Sequence, residues 1–131
     1  MDNKTIFVAK AEREIAELID LVLSRDGYNV ITVSDERGYD AFIEESLRRY
    51  EQEKDRVDLI INGFNVDDCF RYYASFCRIN PACKMIILTA REGCIDQVRQ
   101  NPLEYERIVD CIQLPFDPKT LRATIKRALK S

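Results

Sequence analysis

Met85-Ile86-Ile87-Leu88 is an unbroken apolar run, followed at once by Thr89-Ala90. It reads as a strand with no solvent-facing side, because a half-exposed strand would alternate apolar with polar residues. Three similar short runs precede it: Thr5 to Ala9, Tyr28 to Val33 and Val57 to Ile61. A fifth, Ile108 to Ile112, follows. The segments between them keep a different period. From Glu12 to Asp26, Ile15, Leu18, Ile19 and Val22 fall at i, i+3, i+4 and i+7, one face of a helix, and Gly27 supplies its stop. Arg37 to Glu53 repeats the pattern with Tyr39, Phe42, Ile43, Leu47 and Tyr50, the opposite face being Glu and Arg. Asp67 or Asp68 is placed to cap a third helix carrying Phe70, Tyr73, Ala74 and Cys77. A weaker helix spans about 92–100. Asp117-Pro118 opens the last one, whose stripe is Leu121, Ile125, Ala128 and Leu129. Apolar strands alternating with amphipathic helices predict an α/β domain, a parallel sheet covered on both faces.

Bulk properties agree with one soluble domain. The chain has 131 residues, enough for one hydrophobic core, and 46% apolar with 33% charged residues argues against disorder. A net charge of −3 supplies no global field to draw in nucleic acid or a membrane. No apolar stretch approaches the ~18–20 residues that a bilayer span needs. The polar start, Met1-Asp2-Asn3-Lys4, has no signal-peptide core, so a cytoplasmic location is expected. Histidine is absent, which removes the commonest general base and transition-metal ligand. The five cysteines, at 69, 77, 83, 94 and 111, form no CxxC pair and read as reduced thiols used as small hydrophobes.

In a doubly wound sheet, sites form at the carboxyl ends of the strands. The residues there are Lys10, Ala11 and Glu12; Ser34 and Asp35; Asn62, Gly63 and Phe64; Thr89 and Ala90; Leu114 and Pro115. They offer no cysteine–base pair and no cluster of carboxylates, and no glycine-rich phosphate cradle follows the first strand. No enzyme activity, cofactor or metal is expected from this set.

Four fragments in order carry a resemblance: Ile6-Phe7-Val8-Ala9, Asp58-Leu59-Ile60-Ile61-Asn62-Gly63, Ile86-Ile87-Leu88-Thr89-Ala90 and Leu114-Pro115-Phe116. Together they make the chain resemble, over nearly its full length, the CheY-like receiver domain of bacterial response regulators. That resemblance implies a flavodoxin-like (βα)5 sandwich with strand order 2-1-3-4-5, and a peptide bond before Pro115 of the kind that is commonly cis. It also marks the departures. Lys10 and Ala11 stand at the places of the two metal-binding acids, with Glu12 the nearby acid. Gly63 stands at the phosphoacceptor position, with Asn62 beside it. Leu114 replaces the lysine that contacts the phosphoryl group, and Thr89 keeps the switch hydroxyl. Cys111 occupies the aromatic switch position.

Mg²⁺ wants oxygen ligands in near-octahedral geometry, usually including carboxylates. A lysine in an acid's place repels it by roughly 4 kcal/mol per unit of charge product at ~4 Å and an effective dielectric of ~20. Glycine has no side chain to phosphorylate. The expected function is therefore a pseudo-receiver that regulates by protein contact. The family's partner face implies docking or homodimerisation around the fourth of the five expected helices, the fifth strand and the last helix, through Ile95, Cys111, Gln113, Arg122 and Lys126. The alternatives are a phosphorelay receiver using Asp67 or Asp68 as acceptor, and a cofactor binder on the same architecture.

Several features have a plainer reading. Lys10 can be solvated or can pair with Glu12 or Asp35. Phe64 and Phe116 read as core packing in preference to a gate. Lys119, Arg122, Lys126, Arg127 and Lys130 read as a solvated face favoured by the helix dipole, which makes nucleic acid an unlikely partner. Tyr72, Tyr73 and Tyr105 are candidates for an exposed contact patch.

Overall fold

The computed structural model describes residues 3–35 and 37–130, so the start at Met1 and Asp2 lies outside the described residues. Five strands form one parallel sheet: β1 (Thr5–Ala9), β2 (Asn29–Val33), β3 (Leu59–Asn62), β4 (Met85–Thr89) and β5 (Ile108–Gln113). Their spatial order is β2-β1-β3-β4-β5, the order implied by the resemblance. Between and after them lie α1 (Arg13–Arg25), α2 (Tyr39–Glu53), α3 (Val66–Arg71), α4 (Tyr73–Ile79), α5 (Cys94–Gln100) and α6 (Pro118–Lys130). No described helix is long and apolar enough to cross a membrane.

Period-two alternation along the strands divides the core into two layers. Phe7, Ile60, Met85 and Ile87 face one side, where they meet Phe42 and Tyr50 of α2, Phe76 of α4 and Val98 of α5. Ile6, Val8, Leu59, Ile61, Ile86 and Leu88 face the other, against Ile19, Val22 and Leu23 of α1 and Leu121, Ile125 and Ala128 of α6. Because both faces are covered, β1 and β4 are buried throughout, as their continuous apolar runs require. The first layer is aromatic: Phe42–Phe64, Tyr50–Phe76 and Phe7–Tyr50 meet edge-on or tilted at centroid distances of 5.3, 5.4 and 5.5 Å.

Helix ends follow the sequence signals with one exception. Gly27 takes φ +91 after α1, and its N–H donates to the Ser24 carbonyl at 3.0 Å. Asp117 Oδ1 accepts from the Lys119 N–H at 3.1 Å, capping α6. The third expected helix, however, is two helices, and neither Asp67 nor Asp68 is its cap. The cap position is Asn65, and both acids lie in the first turn of α3. The reason is a side chain from another element: the Asn65 N–H donates to the Tyr39 hydroxyl at 2.9 Å, and that hydroxyl donates to Asp68 Oδ2 at 2.7 Å. The break at Tyr72 lets Phe70 pack on Tyr105 at 4.8 Å while Tyr72 meets Phe64 at 6.1 Å. Tyr73 is 8% exposed, its hydroxyl accepts from the Arg107 N–H, and Tyr72 and Tyr105 pack partly buried against the core. The expected tyrosine patch is thus folded inward, drawn by ring–ring contacts.

One irregularity matters later. The β4–β5 register slips between Met85, opposite Ile108, and Ile86, opposite Asp110. This bulge reverses which side each later residue of β5 faces. Ile108 therefore packs in the first layer and Ile112 in the second, and Cys111 is turned toward the first layer.

Candidate functional site

The carboxyl ends of β1, β3, β4 and β5 converge on Lys10, Gly63, Thr89 and Leu114. At the end of β1, the Lys10 N–H donates to the Val33 carbonyl at 3.1 Å. Its side chain, 13% exposed, turns back across the sheet end, and Nζ meets Glu12 Oε2 at 2.8 Å. Of the two candidate partners, Glu12 takes the ammonium; Asp35 is engaged by Arg37, whose Nη2 reaches Asp35 Oδ2 at 2.7 Å. The hydrogen bond from Lys10 holds the Glu12 carboxyl below the usual carboxylate range, against a smaller opposing effect of burial.

Gly63 lies under the Lys10 stem. Its N–H donates to the Ala9 carbonyl at 2.7 Å, extending the β1–β3 ladder by one bond. A Cβ built on Gly63 would stand 2.5 Å from Lys10 Cδ and 2.7 Å from the Ala9 oxygen. The glycine is needed for space, not for backbone freedom: among the described residues, the positive-φ glycines are Gly27, Gly38 and Gly93. Beside it, Asn62 is fully buried and turned into the first layer. Its Oδ1 accepts from the Phe64 N–H at 3.0 Å, and its Nδ2 lies 3.8 Å from Met85 Sδ. Phe64 is 2% exposed within the aromatic layer, and Phe116 packs partly buried on the second, so both are packing residues.

Thr89 Oγ1 accepts from the Arg91 N–H at 3.0 Å, fastening the loop into α5. The Thr89 carbonyl accepts from the Leu114 N–H at 2.8 Å, just before the cis Leu114-Pro115 bond. Leu114 packs against the second layer, and Ala11 against the first. Asp67 pairs with Arg91 at 3.1 Å, and Asp68 is held by Tyr39.

Mg²⁺ recruits oxygen ligands, carboxylates foremost. The side chains of Lys10, Ala11 and Gly63 offer an ammonium, a methyl and nothing, and Glu12 already holds the ammonium. This donor set does not fit the ion. Among the described residues, no group of three or more His, Cys, Asp or Glu is arranged to hold a metal.

On the proposed partner face, Ile95, Cys111 and Gln113 come together. They line one cleft of about 190 Å³ with Thr89, Arg91, Gly93, Cys94, Arg99 and Asp110. Arg122 does not join them, because its Nε points to Asp26 Oδ2 at the end of α1, 3.4 Å away. Lys126 is exposed on α6. The α6 cation that reaches β5 is Arg127, at 3.4 Å from Asp110 Oδ2. Cys94, Arg99 and Asp110 lie in the stretches 92–100 and 108–114 that the sequence assigned to this face, though not singled out there, and Arg91 lies just outside them. The bulge in β5, not legible in the sequence, sets the side to which each of Asp110 and Cys111 turns.

A five-stranded parallel sheet in this order, with an α-helical layer on each face, matches solved structures of response regulators. The structure of chemotaxis protein CheY4 of Vibrio cholerae matches with a TM-score of 0.74 at 19% identity, covering 98% of this chain and 100% of that one. The fold is that of a CheY-like receiver. A response regulator from Thermotoga maritima superposes on this chain with a TM-score of 0.73 at 22% identity, covering 99% and 100% of the two chains. In sequence, the chain is 31% identical over 130 residues to the alkaline phosphatase synthesis transcriptional regulatory protein PhoP of Bacillus subtilis (strain 168). That alignment covers 98% of this chain and 49% of PhoP, so the chain spans about half the length of that relative. No protein-family model matches the chain. These solved structures, at 19% and 22% identity, show the fold.

Proposed function

We propose that this receiver regulates without an aspartyl phosphate, by protein contact through α5, β5 and α6. The observation that carries the reading is the Lys10 stem lying 2.5 Å from where a side chain on Gly63 would begin. In a phosphorylatable pocket that volume belongs to an acceptor side chain and its metal. Here it is filled by hydrocarbon, with the ammonium anchored on Glu12 at 2.8 Å. A divalent cation approaching this end of the sheet meets a fixed positive charge, and a phosphoryl donor meets no nucleophile. Asp67 and Asp68 do not replace one, since both sit in α3 with their carboxylates engaged by Arg91 and Tyr39.

Contact then has to do what phosphate does elsewhere. A partner that binds one arrangement of the α5–β5–α6 face better than another shifts the population by that difference in affinity. The half-buried Ile95, the exposed Gln113 and the cations Arg91, Arg99 and Lys126 give this face apolar and positive elements for a protein partner or a second copy. The test is an ¹⁵N spectrum of the domain titrated with Mg²⁺ and then with beryllofluoride. Unmoved resonances at Lys10, Gly63 and Thr89 are expected. Saturable shifts spreading from those residues to Cys111 would sink the reading, because they require a pocket that still binds metal and phosphoryl group.

A further inference from the structure

The five cysteines do not share one environment. Cys69 is fully buried, and its Sγ lies 3.4 Å from the Phe64 carbonyl oxygen and 3.7 Å from that of Asn62, a thiol spent on backbone acceptors. Cys77 and Cys83 face each other at 4.0 Å between Sγ atoms, and burial together with the neighbouring thiol pushes Cys83 up to about 12. Cys94, the first residue of α5, and Cys111, in the middle of β5, are different: their sulfurs are 2.9 Å apart across 17 residues of chain. A disulfide needs ~2.05 Å, so this pair has less than 1 Å to close and the other pair about 2 Å. The bulge in β5 makes this possible, by turning Cys111 toward α5 and away from α6.

We propose that Cys94 and Cys111 form a reversible intramolecular disulfide on exposure to a hydroperoxide, a modification site on the face that receivers present to partners. Access is through the cleft of about 190 Å³ that both cysteines line with Arg91, Arg99, Asp110 and Gln113. The two thiols are electrostatically unequal. Cys94 is lowered from its ordinary value, first by its hydrogen bond with Cys111 and then by the Arg91 charge, against the opposing effect of burial. Cys111 is raised, first by its hydrogen bond with Cys94 and then by burial, with Asp110 acting in the same direction. The Arg91 charge beside Cys94 and the Asp110 carboxylate beside Cys111 favour Cys94 as the attacking sulfur and Cys111 as the resolving one.

The chemistry balances as two steps. The Cys94 thiolate attacks the distal oxygen of the hydroperoxide; the S–O bond forms, the O–O bond breaks, and the alkoxide leaves as an alcohol after taking a proton. Cys111 then attacks the Cys94 sulfenic sulfur. The S–S bond forms, the S–O bond breaks, and hydroxide departs with the Cys111 proton as water. Two thiols lose two electrons to one hydroperoxide, and any dithiol reductant reverses the product by exchange. The bond would tie the start of α5 to the middle of β5 and fix that part of the face, whether or not the neighbouring pocket accepts phosphate.

The test uses the whole reduced chain and hydrogen peroxide as the probe, with alkylation of remaining thiols, intact mass and non-reducing peptide mapping. Three of the five thiols should stay alkylatable, and one cross-linked peptide should join Cys94 to Cys111, forming at least tenfold faster than any other disulfide. A first disulfide between Cys77 and Cys83, one between two chains, or five surviving thiols would each overturn the proposal. In Cys111→Ser, Cys94 should accumulate as a sulfenic acid trapped by a cyclic 1,3-diketone; in Cys94→Ser, Cys111 should stay unlabelled. Labelling of Cys111 in that second variant would refute the assigned roles. Mapping of the unaltered protein decides the main point even if a variant fails to fold.

Discussion

Gly63→Ala isolates the contact on which the functional reading rests. The added methyl carbon would stand 2.5 Å from Lys10 Cδ and 2.7 Å from the Ala9 oxygen. The lysine stem can swing aside, at the expense of its bond to Glu12. The Ala9 oxygen cannot move freely, because it accepts the Gly63 N–H at 2.7 Å and belongs to a strand hydrogen-bonded on both sides. Overpacking of this kind costs ~1–3 kcal/mol. Loss of glycine's freedom in the unfolded chain returns ~0.4–1 kcal/mol. A net destabilisation of about 1–2 kcal/mol lies in the middle of the ~0–2.6 kcal/mol that those two ranges span. It would lower Tm by ~4–8 °C at about 4 °C per kcal/mol for a domain of this size. Urea denaturation should show the midpoint falling with the slope unchanged. In a Lys10→Ala background the cost should shrink without vanishing, since the Ala9 oxygen remains, and the coupling between the two sites should be at least ~0.5 kcal/mol. If Gly63→Ala is as stable as the parent, or if the two substitutions add without coupling, the stem does not fill that space and the reasoning fails.

Three further outcomes are expected. Phe76→Ala removes a fully buried ring that stacks on Tyr50 and Phe64, and should cost ~3–5 kcal/mol by chemical denaturation; a loss below 1 kcal/mol would mean that the aromatic layer is not close-packed. Tyr39→Phe leaves the Asn65 N–H and Asp68 without their shared hydroxyl, so α3 should be loosened by about 1 kcal/mol and its amides should exchange faster, while β1 amides keep their protection. Glu12 has a lowered folded-state pKa, so its pairing with Lys10 stabilises fully above the ordinary carboxylate value and fades as pH falls through the lowered one. With the Glu12 side chain 59% exposed, solvent screening limits this to below ~1 kcal/mol. NMR titration of Glu12 should move back to the ordinary value in Lys10→Met, and an unchanged midpoint would show that Lys10 is not its partner.

The alternation of apolar runs with amphipathic stretches determined the layered α/β architecture, because burial on two faces leaves its mark on every strand residue in turn. The same local logic placed Lys10, Gly63, Thr89 and Leu114 at the strand ends and read Asp117 as a cap. Tertiary structure decided what those residues touch. The Lys10 stem covers Gly63 because β1 and β3 are neighbours in the sheet though far apart in sequence. Tyr39 of α2 caps α3 in place of Asp67 or Asp68, and ring contacts fold Tyr72, Tyr73 and Tyr105 inward. Arg122 is drawn to α1, away from the face to which its helical position assigned it. A one-residue bulge, invisible in a β-branched and polar stretch such as Val109-Asp110, reverses the sides of β5 and sets Cys111 against Cys94. Patterning reports which side of its own element a residue lies on; register and long-range packing choose its neighbour.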